Sequence, residues 1–359
     1  MKRWRDRWDR HGDAPDGAVL GSHAERAREA WRALAVNCTW NRGGERFALE
    51  GPGRGSAGAP LWPLSQVLAA AIDVAGLQAR ADEPPGHDSD GLVTGLRRGL
   101  ERYRIKEAYG PNPGVRNRYY DDNCWIALDL LRLYELTGDQ TAAADAKRIF
   151  GFVAGGEASG GGIRWVEHPR DSRNTCSTAP AEQVALRLHR LGGDPALRQF
   201  AARCHDFLDR VLKARDGLYW DRVDDDGGVD RTFWSYNQGV PLGAEVLWYL
   251  LDGDPGHLDA AVRTAGAALD LYGRQDRLWR QPAAFNGVFF RELLSLHAQR
   301  PDDRYLHELD SYLDRAWSTA RDPRTGLILG GGIGRYEGGG TIDHAALVQL
   351  YALRSAVPG

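Results

Sequence analysis

Two consecutive carboxylates, Asp121 and Asp122, are the residues of this chain best suited to acid and base chemistry. They open an apolar-periodic segment, which predicts that they lie in the first turn of a helix. Adjacent side chains there point about 100° apart around the helix axis, so their carboxyl groups can lie several ångströms apart on one rim. The helix N-terminus favours the ionised form of one acid, and that charge raises the pKa of its neighbour.

Such a pair can supply a nucleophile and a separate proton donor, which are the two groups of a retaining glycosidase. The same pattern also fits a purely structural helix start, in which one aspartate is the N-cap and the other a first-turn acid. The residues alone leave both interpretations open.

The helices that would position this pair are predicted from a short sequence motif that recurs along the chain. An apolar-periodic segment ends in glycine and aspartate at Gly138-Asp139, Gly193-Asp194 and Gly253-Asp254. Glycine is typical of helix C-termini and aspartate of N-caps, so each motif predicts a helical hairpin with a minimal loop. The same signals predict about twelve helices, near 22–36, 62–78, 90–105, 121–137, 139–153, 175–191, 194–213, 237–251, 254–272, 285–298, 301–320 and 341–356.

Repeated hairpins that bury one face against their neighbours form an array or a closed ring. Six of them predict an all-α fold, an (α/α)6 toroid or barrel in which outer helices surround inner ones. Long connections carry sites, and here they precede the inner helices, so the residues that open those helices are expected to converge on one pocket. These openings are Leu61-Trp62-Pro63, Tyr119 to Asn123, Asn174 to Ser177, Trp234 to Gly239, Phe285-Asn286-Gly287 and Thr341 to His344.

The openings contain carboxylates, carboxamides, hydroxyls and aromatic rings, which suit a carbohydrate, because sugar hydroxyls need polar partners and C–H faces stack on rings. No nucleotide-phosphate or zinc-protease motif accompanies them. The four cysteines lack metal spacing and are predicted to be free, buried thiols, and no metal or cofactor is expected. The segment 224–228 is predicted to be a hairpin tip, and Arg222 argues against a calcium loop there.

Composition narrows the function classes further. The 359 residues carry a net charge of −3, which gives no reason to expect nucleic-acid binding, and no apolar run is long enough for a membrane span. The first residues are basic but no apolar segment follows, so the chain as given is expected to be cytoplasmic, or secreted if its N-terminus has been trimmed. We predict a charged extension over 1–20 and one catalytic domain over 21–359.

Several motifs, in order, resemble glycoside hydrolase family 76, the endo-α-1,6-mannanases. The resemblance covers roughly residues 60 to 356. It is carried by the stretches Leu61 to Gln66, Tyr119 to Leu128, Gly161 to Trp165, Asp230 to Gly239, Phe285 to Phe289 and Asp343 to Leu347.

The resemblance implies an (α/α)6 barrel that hydrolyses α-1,6-mannosidic bonds with retention through a covalent glycosyl-aspartate intermediate. Asp121 would be the nucleophile, and Asp122 the acid and base. A carbohydrate is the expected partner. The side chains expected to contact it are Trp62, Tyr120, Trp125, Arg164, Trp165, Asn174, Tyr236, Asn237, Gln238, Asn286 and Asp343. Helix capping is the alternative for Asn174, Asn237 and Asp343, and a core position is the alternative for Trp125.

Two residues depart from the family pattern. Arg164 stands where a second tryptophan is usual, and Thr178 stands where asparagine is expected. Arg164 could favour an anionic or differently linked glycan. Because no signal peptide is expected, exo action on imported oligosaccharides carrying another α-linkage is the alternative activity. An epimerase-like isomerase with histidine acid and base, or a non-catalytic glycan-binding toroid, would also fit the same fold. The loops over 40–60 and 78–90 are expected to decide between endo and exo action.

Overall fold

The structure, a computed structural model, describes residues 21–53, 55–81, 89–169, 171–329 and 340–358. Helices dominate these ranges, and the strands between them are short. The helices are α1 (His23–Asn37), α2 (Leu61–Arg80), α3 (Ser89–Leu100), α4 (Tyr120–Thr137), α5 (Gln140–Ala154), α6 (Thr175–Gly192), α7 (Pro195–Phe207), α8 (Ser235–Asp252), α9 (Pro255–Tyr272), α10 (Arg277–Arg280), α11 (Ala283–Gln299), α12 (Asp303–Arg315) and α13 (Gly340–Arg354). The strands are β1 (Thr39–Arg42), β2 (Glu45–Ala48), β3 (Arg104–Ile105), β4 (Ala108–Tyr109), β5 (Ser172–Asn174), β6 (Arg222–Asp224) and β7 (Val229–Asp230).

Among the described helices, a closed ring forms the centre of the fold. Each of its members contacts its two neighbours, in the order α2, α4, α6, α8, α11, α13 and back to α2. These helices are buried on nearly all sides, as expected of helices that have neighbours all around them. Helices α1, α3, α5, α7, α9 and α12 pack on the outside of the ring. The predicted all-α (α/α) barrel is therefore confirmed.

The glycine–aspartate motifs form the predicted turns between inner and outer helices. Each glycine has a positive φ, between 69° and 77°, which costs glycine little. Each aspartate accepts a hydrogen bond from a backbone N–H in the first turn of the next helix, at 2.8–2.9 Å. The residue pairs are Gly138 and Asp139, Gly193 and Asp194, and Gly253 and Asp254.

The predicted helices all occur, and the differences lie at a few ends. The segment over 90–105 is helical only to Leu100, because a 3₁₀ turn follows and Arg104–Ile105 pairs as β3 with β4. The segments over 194–213 and 301–320 end in single π-helical turns, Leu208–Leu212 and Ala316–Ala320. Helix α10 was not predicted.

Long connections bring short antiparallel strands to the mouth of the barrel at which the inner helices begin. Strand β6 pairs with both β5 and β7, and Gly227 lies in the turn between β6 and β7 with a φ of 90°. The hairpin predicted at 224–228 is therefore confirmed. All four cysteines are buried and free, as predicted. No helix in the described ranges is long and apolar enough to cross a membrane. The predicted extension over 1–20 lies outside the described residues, and the single domain over 21–359 stays a prediction.

Candidate active site

A cavity of about 1060 Å³ opens at this mouth, and Asp121 and Asp122 both line it. They occupy the second and third positions of α4. Helix α4 begins at this point because Tyr119 is extended and its neighbour Tyr120 donates its backbone N–H to the carbonyl of Trp165 at 2.9 Å. The loop that precedes α6 therefore fixes the first turn of α4.

The two carboxylates have different hydrogen-bond environments. The Oδ2 of Asp121 accepts the indole Nε1–H of Trp165 at 2.9 Å, and the thiol of Cys176 lies 3.6 Å from the same oxygen. The Oδ1 of Asp121 accepts the backbone N–H of Asp122 at 2.9 Å. Among the described residues, no side-chain hydrogen bond to the Asp122 carboxyl is seen. Donors favour the ionised form of a carboxylate, so Asp121 is the better candidate for the charged member of the pair.

Burial raises the pKa of both carboxyls above the ordinary aspartate value. Burial raises the pKa of Asp121 to about 6, although its three hydrogen bonds act in the opposite direction. The pKa of Asp122 is raised further, first by burial and then by the charge of Asp121. The pair can therefore hold one carboxylate and one carboxylic acid near neutral pH.

Aromatic rings line the cavity that contains the pair. Phe285 stacks on Tyr236 with ring centroids 4.1 Å apart and lies 5.7 Å from Trp62. Tyr119 and Trp165 meet edge to face at 5.1 Å. Rings of this kind offer apolar surfaces to the C–H faces of a sugar.

Carboxylates dominate the charge of the cavity. Eight acidic side chains line it, and among the described residues only one cation, Arg222, does so. Arg222 is itself paired with Asp224 at 3.1 Å and with Asp230 at 3.2 Å. Besides the pair on α4, the acidic residues are Glu50, Asp171, Asp221, Asp224, Asp225 and Asp226. The acidic run at 224–226 was predicted only as a hairpin tip, because its pairing with β5, which brings it to the cavity, is not visible in the sequence.

The structure brings seven of the predicted site residues together. They all line the cavity, and the aromatic members lie on its walls. They are Asp121, Asp122, Trp62, Trp125, Trp165, Asn174 and Tyr236. Tyr119 and Phe285, which belong to the helix openings expected to converge on one pocket, also line it. Glu50, Asp171 and Asp221 line it as well and were not predicted.

The other six predicted contacts do not line the cavity, and their side chains make contacts elsewhere. Tyr120 is buried and stacks on Phe152. Arg164 binds the carboxylate of Asp225 with contacts of 2.8 and 2.9 Å. Asp343 accepts the backbone N–H of Ala284 at 3.2 Å.

The three remaining amides, on α8 and α11, are fully buried. Asn237 donates to the carboxylate of Asp221 at 2.9 Å. Gln238 accepts the backbone N–H of Tyr219 at 2.7 Å and donates to two backbone carbonyls, and Asn286 donates to the carbonyl of Leu278 at 2.9 Å. These positions do not support the predicted sugar contacts.

Gln238 and Asn286 make a type of side-chain-to-backbone hydrogen bond that recurs at the start of the described inner helices. A polar side chain early in an inner helix bonds the backbone of the preceding connection and so holds that connection at the mouth. Thr178 accepts the N–H of Ile163 at 2.9 Å in the same way, so its departure from the family pattern lies outside the cavity. The other members are Asn123 and His344.

A barrel of paired helices with two consecutive carboxylates in its cavity is an arrangement suited to a glycoside hydrolase. Residues 87–330 match glycosyl hydrolase family 76, and the chain belongs to that family. A mannan endo-1,6-alpha-mannosidase of Candida glabrata, DCW1, is 31% identical over 107 residues, which are 27% of this chain and 24% of that protein. The chain thus matches about a quarter of that relative's length.

Solved structures share the fold. A family 76 glycoside hydrolase from a bovine Bacteroides thetaiotaomicron strain superposes with a TM-score of 0.83 at 24% identity, over 94% of this chain and 78% of that one. An inactive variant of the α-1,6-mannanase of Salegentibacter sp. HEL1_6, in complex with α-1,6-mannotriose, superposes with a TM-score of 0.74 at 19% identity, over 93% and 99% of the two chains.

Proposed function

We propose that this chain hydrolyses α-1,6-mannosidic bonds in mannan or manno-oligosaccharides with retention of the anomeric configuration. The observation that carries the proposal is the pair of consecutive carboxylates in the cavity, one held by three donors and the other without a side-chain partner in the described residues. Asp121 acts as the nucleophile, and Asp122 as the acid and base.

The environments of the two carboxyls match these roles. The ionised Asp121 attacks the anomeric carbon while the proton of Asp122 passes to the leaving oxygen. Asp122, now a carboxylate, then takes a proton from water, and that water displaces Asp121 from the sugar. The raised pKa of Asp122 favours the protonated form that the first step needs.

The substrate class is supported by the relatives. The Candida glabrata relative is named as a mannan endo-1,6-alpha-mannosidase. The Salegentibacter variant that binds α-1,6-mannotriose is inactive with two consecutive aspartates replaced by asparagine. This chain carries its own consecutive pair, at Asp121 and Asp122.

The cavity walls favour an uncharged glycan. Trp62, Trp125, Trp165 and Tyr236 supply rings for sugar faces, and Asn174 supplies an amide for hydroxyls. Arg164 does not leave a free cation for an anionic sugar, because Asp225 binds it. The excess of carboxylates repels anionic ligands. The anionic glycan considered for Arg164 is therefore disfavoured.

The isomerase alternative lacks a suitable histidine in the described part of the chain. His344 opens an inner helix but is fully buried, and its ring nitrogens bond the backbone of Ile328 and Ala30. Burial lowers the pKa of His344 to about 4, which leaves it neutral at ordinary pH. It is positioned to hold a connection rather than to move a substrate proton.

The test compares wild type with Asp121→Asn and Asp122→Asn on α-1,6-mannan and short α-1,6-manno-oligosaccharides. Reducing ends, product size and the anomer formed first, by NMR, are followed. We expect wild type to release the α-anomer first, and both variants to lose turnover by at least about 10³-fold while still binding oligosaccharide. Initial release of the β-anomer would refute retention, and cleavage only of other α-glycosides would refute the mannan assignment. Turnover retained in either variant would refute the assigned roles.

A further inference from the structure

Cys176 lies directly against the proposed nucleophile. It is the second residue of α6, is 3% exposed and lines the cavity, and its Sγ is 3.6 Å from Oδ2 of Asp121. That distance is within the range of a sulfur hydrogen bond, with the thiol as donor and the carboxylate as acceptor.

A second residue of the cavity lies beside this thiol. Tyr236 lines the same cavity and interacts electrostatically with the sulfur of Cys176. Tyr236 is in turn held by its stack on Phe285, with centroids 4.1 Å apart.

The hydrogen bonds divide unequally between the two oxygens of Asp121. Oδ2 receives the indole N–H of Trp165 and the thiol of Cys176, whereas Oδ1 receives the backbone N–H of Asp122. A carboxylate oxygen has two lone pairs, so Oδ2 is saturated and Oδ1 keeps one lone pair free.

We propose that Cys176 is a positioning residue for the hydrolytic reaction: its thiol holds Oδ2 of Asp121 so that Oδ1 faces the anomeric carbon. This inference rests on the proposed function, in which Asp121 is the nucleophile. Oδ1 forms the new bond to carbon as the glycosidic C–O bond breaks and Asp122 delivers its proton to the leaving oxygen. Oδ2 then becomes the carbonyl oxygen of the ester, where the two donors stay in place until water restores the carboxylate.

The activity test compares Cys176→Ala, Cys176→Ser and the matched control Cys204→Ala, which removes another buried thiol from the outer helix α7. Loss of a donor raises the pKa of the nucleophile, so we expect the acid limb of the kcat/KM profile of Cys176→Ala to move up by about 0.5–1 pH unit. We expect its kcat to fall by about three- to tenfold with little change in KM. Cys176→Ser keeps a donor and should retain most activity, and Cys204→Ala should match wild type.

A second readout does not depend on turnover. The rate at which methyl methanethiosulfonate modifies Cys176 is followed against pH by peptide mapping, in wild type and in Asp121→Asn. Burial raises the pKa of the thiol, and the charge of Asp121 and the hydrogen bond to it raise it further. Asp121→Asn should therefore form the reactive thiolate at lower pH and react at least several-fold faster near pH 8.

The two readouts separate the possible failures. Identical modification profiles in wild type and Asp121→Asn would overturn the thiol–carboxylate contact and with it this proposal. An unmoved acid limb in Cys176→Ala, or a loss of stability without a change in kcat, would also overturn it. A wild type that is inactive on mannan but shows the shifted modification profile would refute the proposed substrate and leave the contact established.

Discussion

Trp165 has two possible roles, as a hydrogen-bond donor to Asp121 and as an aromatic surface that contacts the sugar. Its Nε1–H donates to Oδ2 of Asp121 at 2.9 Å, and the side chain is 41% exposed at the cavity wall. The sequence resemblance implies only that Trp165 contacts the sugar. Trp165→Phe keeps an aromatic surface and removes the donor, so it tests the hydrogen bond specifically.

The size of the effect follows from the environment of the carboxylate. A hydrogen bond to a charged group contributes about 1.5–3 kcal/mol, which is about 1–2 pKa units. Because the indole is partly exposed, water replaces part of that contribution, and about one unit is expected. The pKa of Asp121 should therefore rise from about 6 to about 7.

The sign of the pH effect is set by the role of Asp121. The nucleophile must be ionised, so kcat/KM rises with pH through its pKa, and a higher pKa moves that rise to higher pH. Relative to wild type, Trp165→Phe should lose about tenfold in kcat/KM near pH 5 and much less near pH 8.

The assay is a kcat/KM profile on α-1,6-manno-oligosaccharides, with Trp40→Phe as control. Trp40 lies on β1, is 47% exposed and does not line the cavity, so its profile should follow wild type. An acid limb of Trp165→Phe that coincides with wild type, accompanied only by a higher KM, would refute the reasoning. Trp165 would then serve as a stacking surface alone.

Two further predictions concern stability. Gln238→Ala leaves the backbone N–H and C=O of Tyr219 without their buried partner and should lower the free energy of unfolding by about 2–5 kcal/mol in urea titrations. The control Gln140→Ala, at an exposed site, should change it little. Similar unfolding midpoints for the two variants would contradict a stabilising role of the Gln238 hydrogen bonds. The free energy of unfolding of Asp122→Asn should be higher than that of wild type at pH 8 but not at pH 4, because burial penalises the ionised carboxyl only above its ordinary pKa. A stability difference that is the same at both pH values would show that charge burial is not its cause.

The helices and their turns could be predicted from the sequence because their signals are local. At Gly138 and Asp139, one residue tolerates a positive φ and the next caps a helix through its own side chain. Neither property depends on distant parts of the chain. The acid pair was also found locally, because both members lie in one helical turn.

The walls of the cavity depend on contacts between distant segments. The run at 224–226 reaches the cavity because β6 pairs with β5, and Arg164 is neutralised by Asp225, which is 61 residues away. Gln238 has the residue type of a sugar-binding amide, yet its three hydrogen bonds hold backbone.

The sequence by itself therefore determined the barrel of helices, the order of its hairpins and the position of the two carboxylates. Only the tertiary structure decided which polar side chains face the cavity and which hold its connections. The physical reason is that a buried amide or guanidinium must satisfy its hydrogen bonds with whatever the fold brings near it, and periodicity and capping do not specify those neighbours.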